Sequence, residues 1–336
     1  MSSVVLVCSR FGDQKARKRT ITMTMSKLMS TQEVADYLNV DRKTVLRYLQ
    51  SGRLQGSKLG REYRIPEDAV RQLVQPASSD RTGEATVIAL ANQKGGVAKS
   101  TSVFNLAAAL HRLGHSVLMI DMDPQASLSI TAGIDVGRLK TSIYNLLIET
   151  GLNPKDAILK TLAGPDIIPS TIDLSGAELE LDRQFRPAEV LKAVIADIRP
   201  DYDFILIDCP PSLGNLTLNG LAAADEVIIP IQCEFLATRG LALLLKTVEK
   251  IKQRINRSIR VTWILPTMYH ERTVHAREVL EELQANFPGQ VFSPPIKHTV
   301  KVKESPAAGM SILDYDPEGD VALAYMALAK EVSGDA

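Results

Sequence analysis

Residues 91–110 read ANQKGGVAKSTSVFNLAAAL, and the fold turns on how the glycines and lysines in this stretch are interpreted. An apolar run, ATVIAL at 85–90, precedes it, and a helical pattern follows. Strand, glycine loop and helix in that order can cradle phosphate, because backbone amides converge on the anion and the helix N-terminus adds its dipole. The stretch nonetheless misses the pattern GxxxxGK followed by Ser or Thr, since Gln93 and Ala98 stand where the two glycines belong. Gly95 and Gly96 let the backbone approach closely instead. Lys99 is placed to reach the β- and γ-phosphates of a nucleotide, and Ser100 to ligate Mg²⁺; Val97, Ala98 and Thr101 complete the loop. If the backbone at Ala98 needs a positive φ, its Cβ costs about 1 kcal/mol. The binding energy of a nucleoside triphosphate can absorb that.

Working outward, β-branched runs alternate with helical stretches: HSVLMIDMD, YDFILIDCPP, DEVIIPIQ and RVTWILPT follow the loop in order. This alternation predicts an α/β domain over 85–336, a doubly wound and mostly parallel sheet with helices on both faces. Active sites of such sheets lie at the carboxyl ends of strands. Asp121 and Asp123 end one strand there, and Asp208 ends another. Asp208 is suited to holding a water on Mg²⁺, and Asp121 is a further candidate metal group. The reading as simple strand-end caps stays open for Asp121.

The remaining 84 residues differ in charge. Residues 1–80 carry 14 Lys/Arg against 8 Asp/Glu, although the formal net charge of the 336-residue chain is zero. A basic module joined to an acidic one suggests nucleic acid as a partner. Residues 1–26 have no periodicity and read as a disordered basic leader; residues 76–84 are polar, with Gly83, and read as a linker. Cys8, Cys209 and Cys233 are widely spaced, which argues against a zinc site or a disulfide framework. With no long uncharged apolar run and no secretory leader, the expected location is cytoplasmic, with no membrane partner.

Between leader and linker, residues 27–75 form a compact unit. STQEVADYLNV opens on a capping box from Ser30 to Glu33, and Val34, Tyr37 and Leu38 follow at helical spacing. Asp41 can cap the next helix, RKTVLRYLQSG, which Gly52 ends. LQGSKLGREYRI then turns at Gly60 as a small hairpin, and Pro66 starts a third helix. Two short helices with a basic second helix suit a major-groove reader, and a basic wing suits phosphates. The candidate DNA contacts are Arg42, Lys43, Thr44 and Arg47 on the helix, with Lys58, Arg61 and Arg64 on the hairpin. The unit resembles the excisionase/MerR-type helix-turn-helix family through TQEVADYLNV, TVLRYLQSGRL and GREYRI.

In the larger domain NQKGGVAKST, DMDPQAS, IDCPPS, IPIQCEFLATRGLALLL, LPTMYHERT and ESPAAGMSILDYDP follow in the order found in ParA partition ATPases, of the deviant Walker A group. The resemblance runs over residues 85–334 and does not need a glycine at Gln93; Ala98 is a departure at one position. It implies a P-loop NTPase fold and Mg-dependent ATP hydrolysis with weak basal turnover. It also implies an ATP-dependent homodimer in which Lys94 crosses to the partner's phosphates. Asp123 matches the acid that orients the attacking water, Asp208 couples Mg²⁺ to a second switch at Pro210-Pro211, and Pro266, Thr267 and Met268 lie near adenine. A ParB-type adaptor would stimulate hydrolysis, and the ATP-bound dimer would bind nucleoid DNA non-specifically. Candidates for that surface are Arg254, Arg257, Arg272, Arg277, Lys301 and Lys303. The alternative is a transcription regulator that uses ATP as a conformational switch, its N-terminal module reading an operator. A membrane-positioning relative is disfavoured because VALAYMALAKEVSGDA has one lysine and ends acidic, and an iron-protein-like reductase because Cys209 and Cys233 lack the contexts of cluster ligands.

Overall fold

The computed structural model describes residues 27–38, 40–50, 54–60, 62–73, 83–234 and 237–335. The leader, most of the linker, Gly52 and Arg61 lie outside the described residues.

The first unit comprises β1 (Leu28–Met29), α1 (Thr31–Leu38), α2 (Arg42–Gln50), β2 (Ser57–Leu59), β3 (Glu62–Pro66) and α3 (Glu67–Leu73). The capping box forms: the Ser30 amide donates to Glu33 Oε2 at 2.7 Å, and the Glu33 amide to Ser30 Oγ at 3.2 Å. Asp41 caps α2 by accepting from the Lys43 amide at 2.8 Å. β3 lies between β1 and β2, so the wing is the outer part of a three-stranded antiparallel sheet. Two details differ from the sequence reading. Pro66 ends β3 rather than opening α3, and Tyr37 is 60% exposed while Val34 and Leu38 are buried. One face of an eight-residue helix seats three apolar side chains in this core, with Ala35 taking the third place.

The second unit runs β4 (Thr86–Leu90), α4 (Lys99–Arg112), β5 (Val117–Asp121), α5 (Ser127–Thr131), α6 (Ile143–Ile148), β6 (Leu159–Lys160), β7 (Asp166–Ile168), α7 (Leu174–Leu181) and α8 (Val190–Ala196). It continues with β8 (Phe204–Asp208), α9 (Asn215–Ala223), β9 (Glu226–Gln232), α10 (Ala237–Arg254), β10 (Arg260–Thr267), α11 (Val274–Asn286), α12 (Val300–Ala307), α13 (Ile312–Tyr315) and α14 (Asp320–Ser333). The seven strands lie in the order β10-β9-β4-β8-β5-β7-β6. Every pairing is parallel except β6 with β7. The order reverses around β4, because chain and sheet run out from it in both directions, and this is the point where a crevice opens in such sheets.

Alternation along the strands fills two cores. Ile88, Leu90, Leu206 and Ile228 face one side with α4 and α14, while Val87, Ala89, Ile205, Ile207, Val227 and Ile229 face the other. The first core does not stop at the sheet. Val34, Leu38, Val45, Tyr48 and Ile65 of the small unit belong to the same continuous apolar cluster. The small unit is docked on the larger one, and an isolated antiparallel bridge joins Val40 to Ile134. Among the described residues no helix is long and apolar enough to cross a membrane.

Candidate nucleotide site and DNA-facing surfaces

The loop after β4 is built by its neighbours as much as by its glycines. The buried Asn92 side chain donates to the Pro230 carbonyl at 2.7 Å and accepts from the Lys94 amide at 3.0 Å, which bends the chain at the strand end. Thr267 Oγ1 donates to the Val97 carbonyl at 3.0 Å from the end of β10. Ala98 has φ 62° and ψ 34°, so the anticipated left-handed conformation is real and an alanine bears it. α4 begins at the next residue with no side-chain cap, leaving its first amides directed at the loop.

A cleft of about 430 Å³ opens over this loop. Gly95, Gly96, Ala98, Lys99, Ser100 and Thr101 line one side, Asp123 and Pro211 a second, and Met268 with the segment 296–303 a third. Lys99 is buried, and desolvation lowers its pKa while Asp208 and Asp123 pull the other way. Both oxygens of Asp208 are buried, and no donor meets them with hydrogen-bond geometry. Burial first, and then repulsion from Asp121, raises the Asp208 pKa well above the carboxylate range; the Ser100 hydroxyl and Lys99 oppose the shift. An orphaned buried carboxylate beside a loop hydroxyl is the arrangement that a hydrated divalent cation satisfies. Among the described residues no group of three or more His, Cys, Asp or Glu is placed to hold a metal ion by itself.

The structure does not bring every expected residue into the cleft. Asp121 is fully buried and acts as a brace: Oδ2 accepts from the Ser129 amide at 2.9 Å and its hydroxyl at 2.7 Å, and Oδ1 from the Asp123 amide at 3.1 Å. Burial pushes it up to about 6 against those hydrogen bonds. Its oxygens are spent holding the β5–α5 turn, so it is not positioned as a metal ligand. Pro266 and Thr267 are buried behind the loop, and Met268 alone of the three lines the cleft, at φ 50°. Lys94 points out of the cleft, paired with Glu234 at its rim. Lys303, read as a DNA contact, lines the cleft.

His298, Thr299 and Val302 also line it, with Ser127, Thr131 and the buried Tyr325, whose hydroxyl meets Ser102 Oγ at 3.0 Å. None of these was singled out from sequence, because they converge from α5, α12 and α14 with no local pattern; ESPAAG marked the neighbourhood only. The His298 ring lies 4.6 Å from that of His270, and burial together with His270 lowers its pKa.

With this geometry in place, comparison with known proteins is informative. An AAA-domain family model matches residues 85–261, and a helix-turn-helix model matches residues 28–77. The chromosome-partitioning ATPase Soj of Treponema pallidum is 44% identical over 244 residues, covering 72% of this chain and 94% of Soj. This chain belongs to the ParA/Soj family of partition ATPases. ParA of Caulobacter vibrioides is 41% identical over 250 residues, with 73% of this chain and 93% of that one covered. A Mycobacterium smegmatis structure titled cobyrinic acid a,c-diamide synthase, with bound ADP and magnesium, has TM-score 0.66 and 38% identity over 74% of this chain and 94% of its own. A plasmid partition protein of Borrelia burgdorferi bound to AMPPNP has TM-score 0.63 and 26% identity over 74% and 99%. The P-loop ATPase domain is thus the family fold, and the helix-turn-helix of residues 28–77 is matched by its own family model.

The DNA candidates of this ParA/Soj-family chain fall into three places. Arg254 and Arg257 flank the start of β10, whereas Arg272 and Arg277 follow its end. Eight strand residues at about 3.3 Å each hold the two pairs on the order of 25 Å apart. They are two surfaces, not one patch. Lys301 stands near the second pair in an ion pair with Asp316 at 2.8 Å. On the small unit Arg42 and Lys43 are exposed. Arg64 pairs with Glu62 at 3.1 Å, and Lys58 lies over the Tyr63 ring at 6.0 Å. Thr44 is buried against the ATPase domain, and Arg47 donates to the Ala307 carbonyl. Thr44 is thus covered while Arg47 stays exposed, and the sequence gives no sign that α2 has an intramolecular partner.

Proposed function

We propose that this chain is an ATP-driven DNA-partition ATPase whose nucleotide cleft is completed by a second copy of itself. The observation that carries the reading is the contrast between the two loop lysines. Lys99 lies inside its own cleft, while Lys94, five residues earlier, is held at the rim by an exposed ion pair to Glu234. An exposed pair contributes at most about 1 kcal/mol, so a facing triphosphate takes Lys94 from Glu234 at little cost.

Lys99 and the amides of Gly95 to Thr101 hold the phosphates, and Asp123 orients the attacking water. Ser100 and, through water, Asp208 hold Mg²⁺, which when bound neutralises charge developing on the phosphate oxygens. Lys94 of the second copy reaches across to the same phosphates. Hydrolysis removes the γ-phosphate contacts and loosens the dimer. A ParB-type adaptor accelerates that step, and the ATP-bound dimer holds DNA without sequence preference through the basic residues at the two ends of β10. The helix-turn-helix reads a specific site. The rival reading, a regulator using ATP as a switch, draws support from the docking of that module on the ATPase domain.

Sedimentation velocity of the full-length protein tests the completed cleft. Mg·ATP gives a dimer, Mg·ADP a monomer, and Lys94→Ala stays monomeric with ATP. A wild-type protein whose mass is the same in both nucleotides contradicts the reading.

A further inference from the structure

The middle of the face of α2 that should read DNA is already occupied at Thr44, while Arg42, Lys43 and Arg47 stay exposed around it. Thr44 is 6% exposed and sits between two glycines of the ATPase domain. A Cβ on Gly309 would come 3.1 Å from Thr44 Cγ2, and one on Gly133 3.3 Å from it, so a side chain at either position would require Thr44 to shift by a few tenths of an ångström. Both glycines also hold positive φ, 84° at Gly133 and 64° at Gly309. Beside this seat the Tyr48 hydroxyl donates to the Gly309 carbonyl at 2.9 Å, and Arg47 donates to the Ala307 carbonyl. At the other edge Arg138 faces Asp36 at 3.6 Å, and the Val40–Ile134 bridge closes the seam.

The two halves of the seat are the ends of the two elements that form the cleft wall. Gly133 and Ile134 follow α5, whose Ser127 and Thr131 line the cleft and whose turn begins at Asp123. Ala307–Gly309 end α12, whose Val302 and Lys303 line the same cleft. The Tyr48 and Arg47 hydrogen bonds end on the last turn of α12, and the Val40–Ile134 bridge sits just beyond α5, so a displacement of either element on the order of 1 Å disturbs the seat.

We propose that the docked helix-turn-helix is a closed form in which the ATPase domain covers Thr44 in the middle of the reading face of α2, and that nucleotide in the cleft governs its release through α5 and α12. The masking rests on the reading of this module as a DNA reader; the linkage does not. A triphosphate draws the Lys303 ammonium toward the phosphates and engages the Asp123 turn through the attacking water, and the far ends of both elements move off Thr44 together. By reciprocity, holding the module docked weakens nucleotide binding by the same factor that nucleotide weakens docking.

The test uses the full-length chain carrying Thr44→Cys and Gly309→Cys, with Cys8→Ser to remove a competing thiol; Cys209 and Cys233 are buried. Thr44 Cβ lies 3.8 Å from a Cβ built at Gly309, the spacing a disulfide bridges. In the wild-type protein, Mg·ATPγS is expected to speed hydrogen exchange of residues 42–50 about tenfold, the lower range of ordinary coupling. The oxidised variant should bind Mg·ATPγS about tenfold more weakly than the reduced one. Arg138→Glu, a surface change, provides a second route and should speed the same exchange without nucleotide.

Equal exchange with and without nucleotide, together with equal nucleotide affinity of the oxidised and reduced forms, overturns the linkage. For masking, the probe is a random-sequence duplex pool. Enrichment of one sequence by the reduced protein only supports it, and equal enrichment by the oxidised protein overturns it. Failure of even the reduced, ATP-bound protein to enrich any sequence would remove the DNA reading of the module while leaving the exchange result standing.

Discussion

The nucleotide cleft and the docked face of α2 use the same residue types to different ends, and the difference lies in where their partners come from. In the cleft local bonds set the turns, Asn92 holding the Lys94 amide two positions away and Ser129 lying eight from Asp121, and long-range bonds such as Thr267 to the Val97 carbonyl back them. On α2, Arg47 and Tyr48 meet carbonyls 260 and 261 residues distant. A basic side chain on a short helix signals nucleic acid only if nothing in the same chain claims it first. Here something does.

The largest effect expected on either side of that comparison is in the cleft. Lys99→Ala removes a preorganised donor to the transferred phosphate and should lower ATP turnover by about 100-fold or more, measured as phosphate release under saturating adaptor. No mutation on α2 should approach this. If Arg47→Ala did, the two regions would not be the separate devices described here.

Asp208→Asn sharpens the cleft side. An unpartnered buried carboxylate costs the fold about 1–3 kcal/mol, so the variant should melt higher in the absence of Mg²⁺ and lose its Mg²⁺ response. The sign with pH follows from the raised pKa. Above the usual carboxylate range the unfolded chain has lost a proton that the fold retains, so wild-type stability falls as pH rises, and the advantage of Asn grows. Asp121, at about 6, adds a fall of the same sign between about pH 4 and 6. Thermal unfolding of both proteins from pH 4 to 7 checks this, and a gap that narrows toward pH 7 contradicts it.

Tyr48→Phe tests the seam by one hydroxyl. Losing its bond to the Gly309 carbonyl should cost about 1 kcal/mol and raise exchange of α2, with ATP turnover by a preformed dimer unchanged. Smaller still is Ala98→Gly, which relieves a left-handed alanine worth up to about 1 kcal/mol. A gain of a few degrees in melting temperature is the limit, and a loss would show that the backbone at Ala98 is not strained.

What could be read from the sequence divides along the same line. The capping box at Ser30, the cap at Asp41, the strand–loop–helix order and the left-handed residue at Ala98 all follow from residues within a few positions of each other. Alternating apolar runs were enough for the parallel sheet, because strands buried on both faces carry that composition wherever they pair. The roles of Pro266 and Thr267 as backing for the loop, of Asp121 as a brace and of Lys303 as a cleft wall depend on which strands and helices meet. Tyr37 shows the limit within one helix: periodicity placed it on the apolar face, but Ala35 takes the place beside Val34 and Leu38 and Tyr37 stays exposed. Thr44 is the clearest case, since its burial is set by two glycines that only the tertiary fold brings to it.

The central claim is that a second copy completes the cleft and that the completed dimer holds DNA. Its most direct test is binding of the full-length protein to a non-specific duplex with Mg·ATP, Mg·ADP or no nucleotide, repeated with Lys94→Ala. Binding with ATP only, lost in Lys94→Ala and falling steeply with salt as phosphate contacts require, is the predicted result. Binding that ignores nucleotide, or that survives Lys94→Ala at full strength, would contradict it.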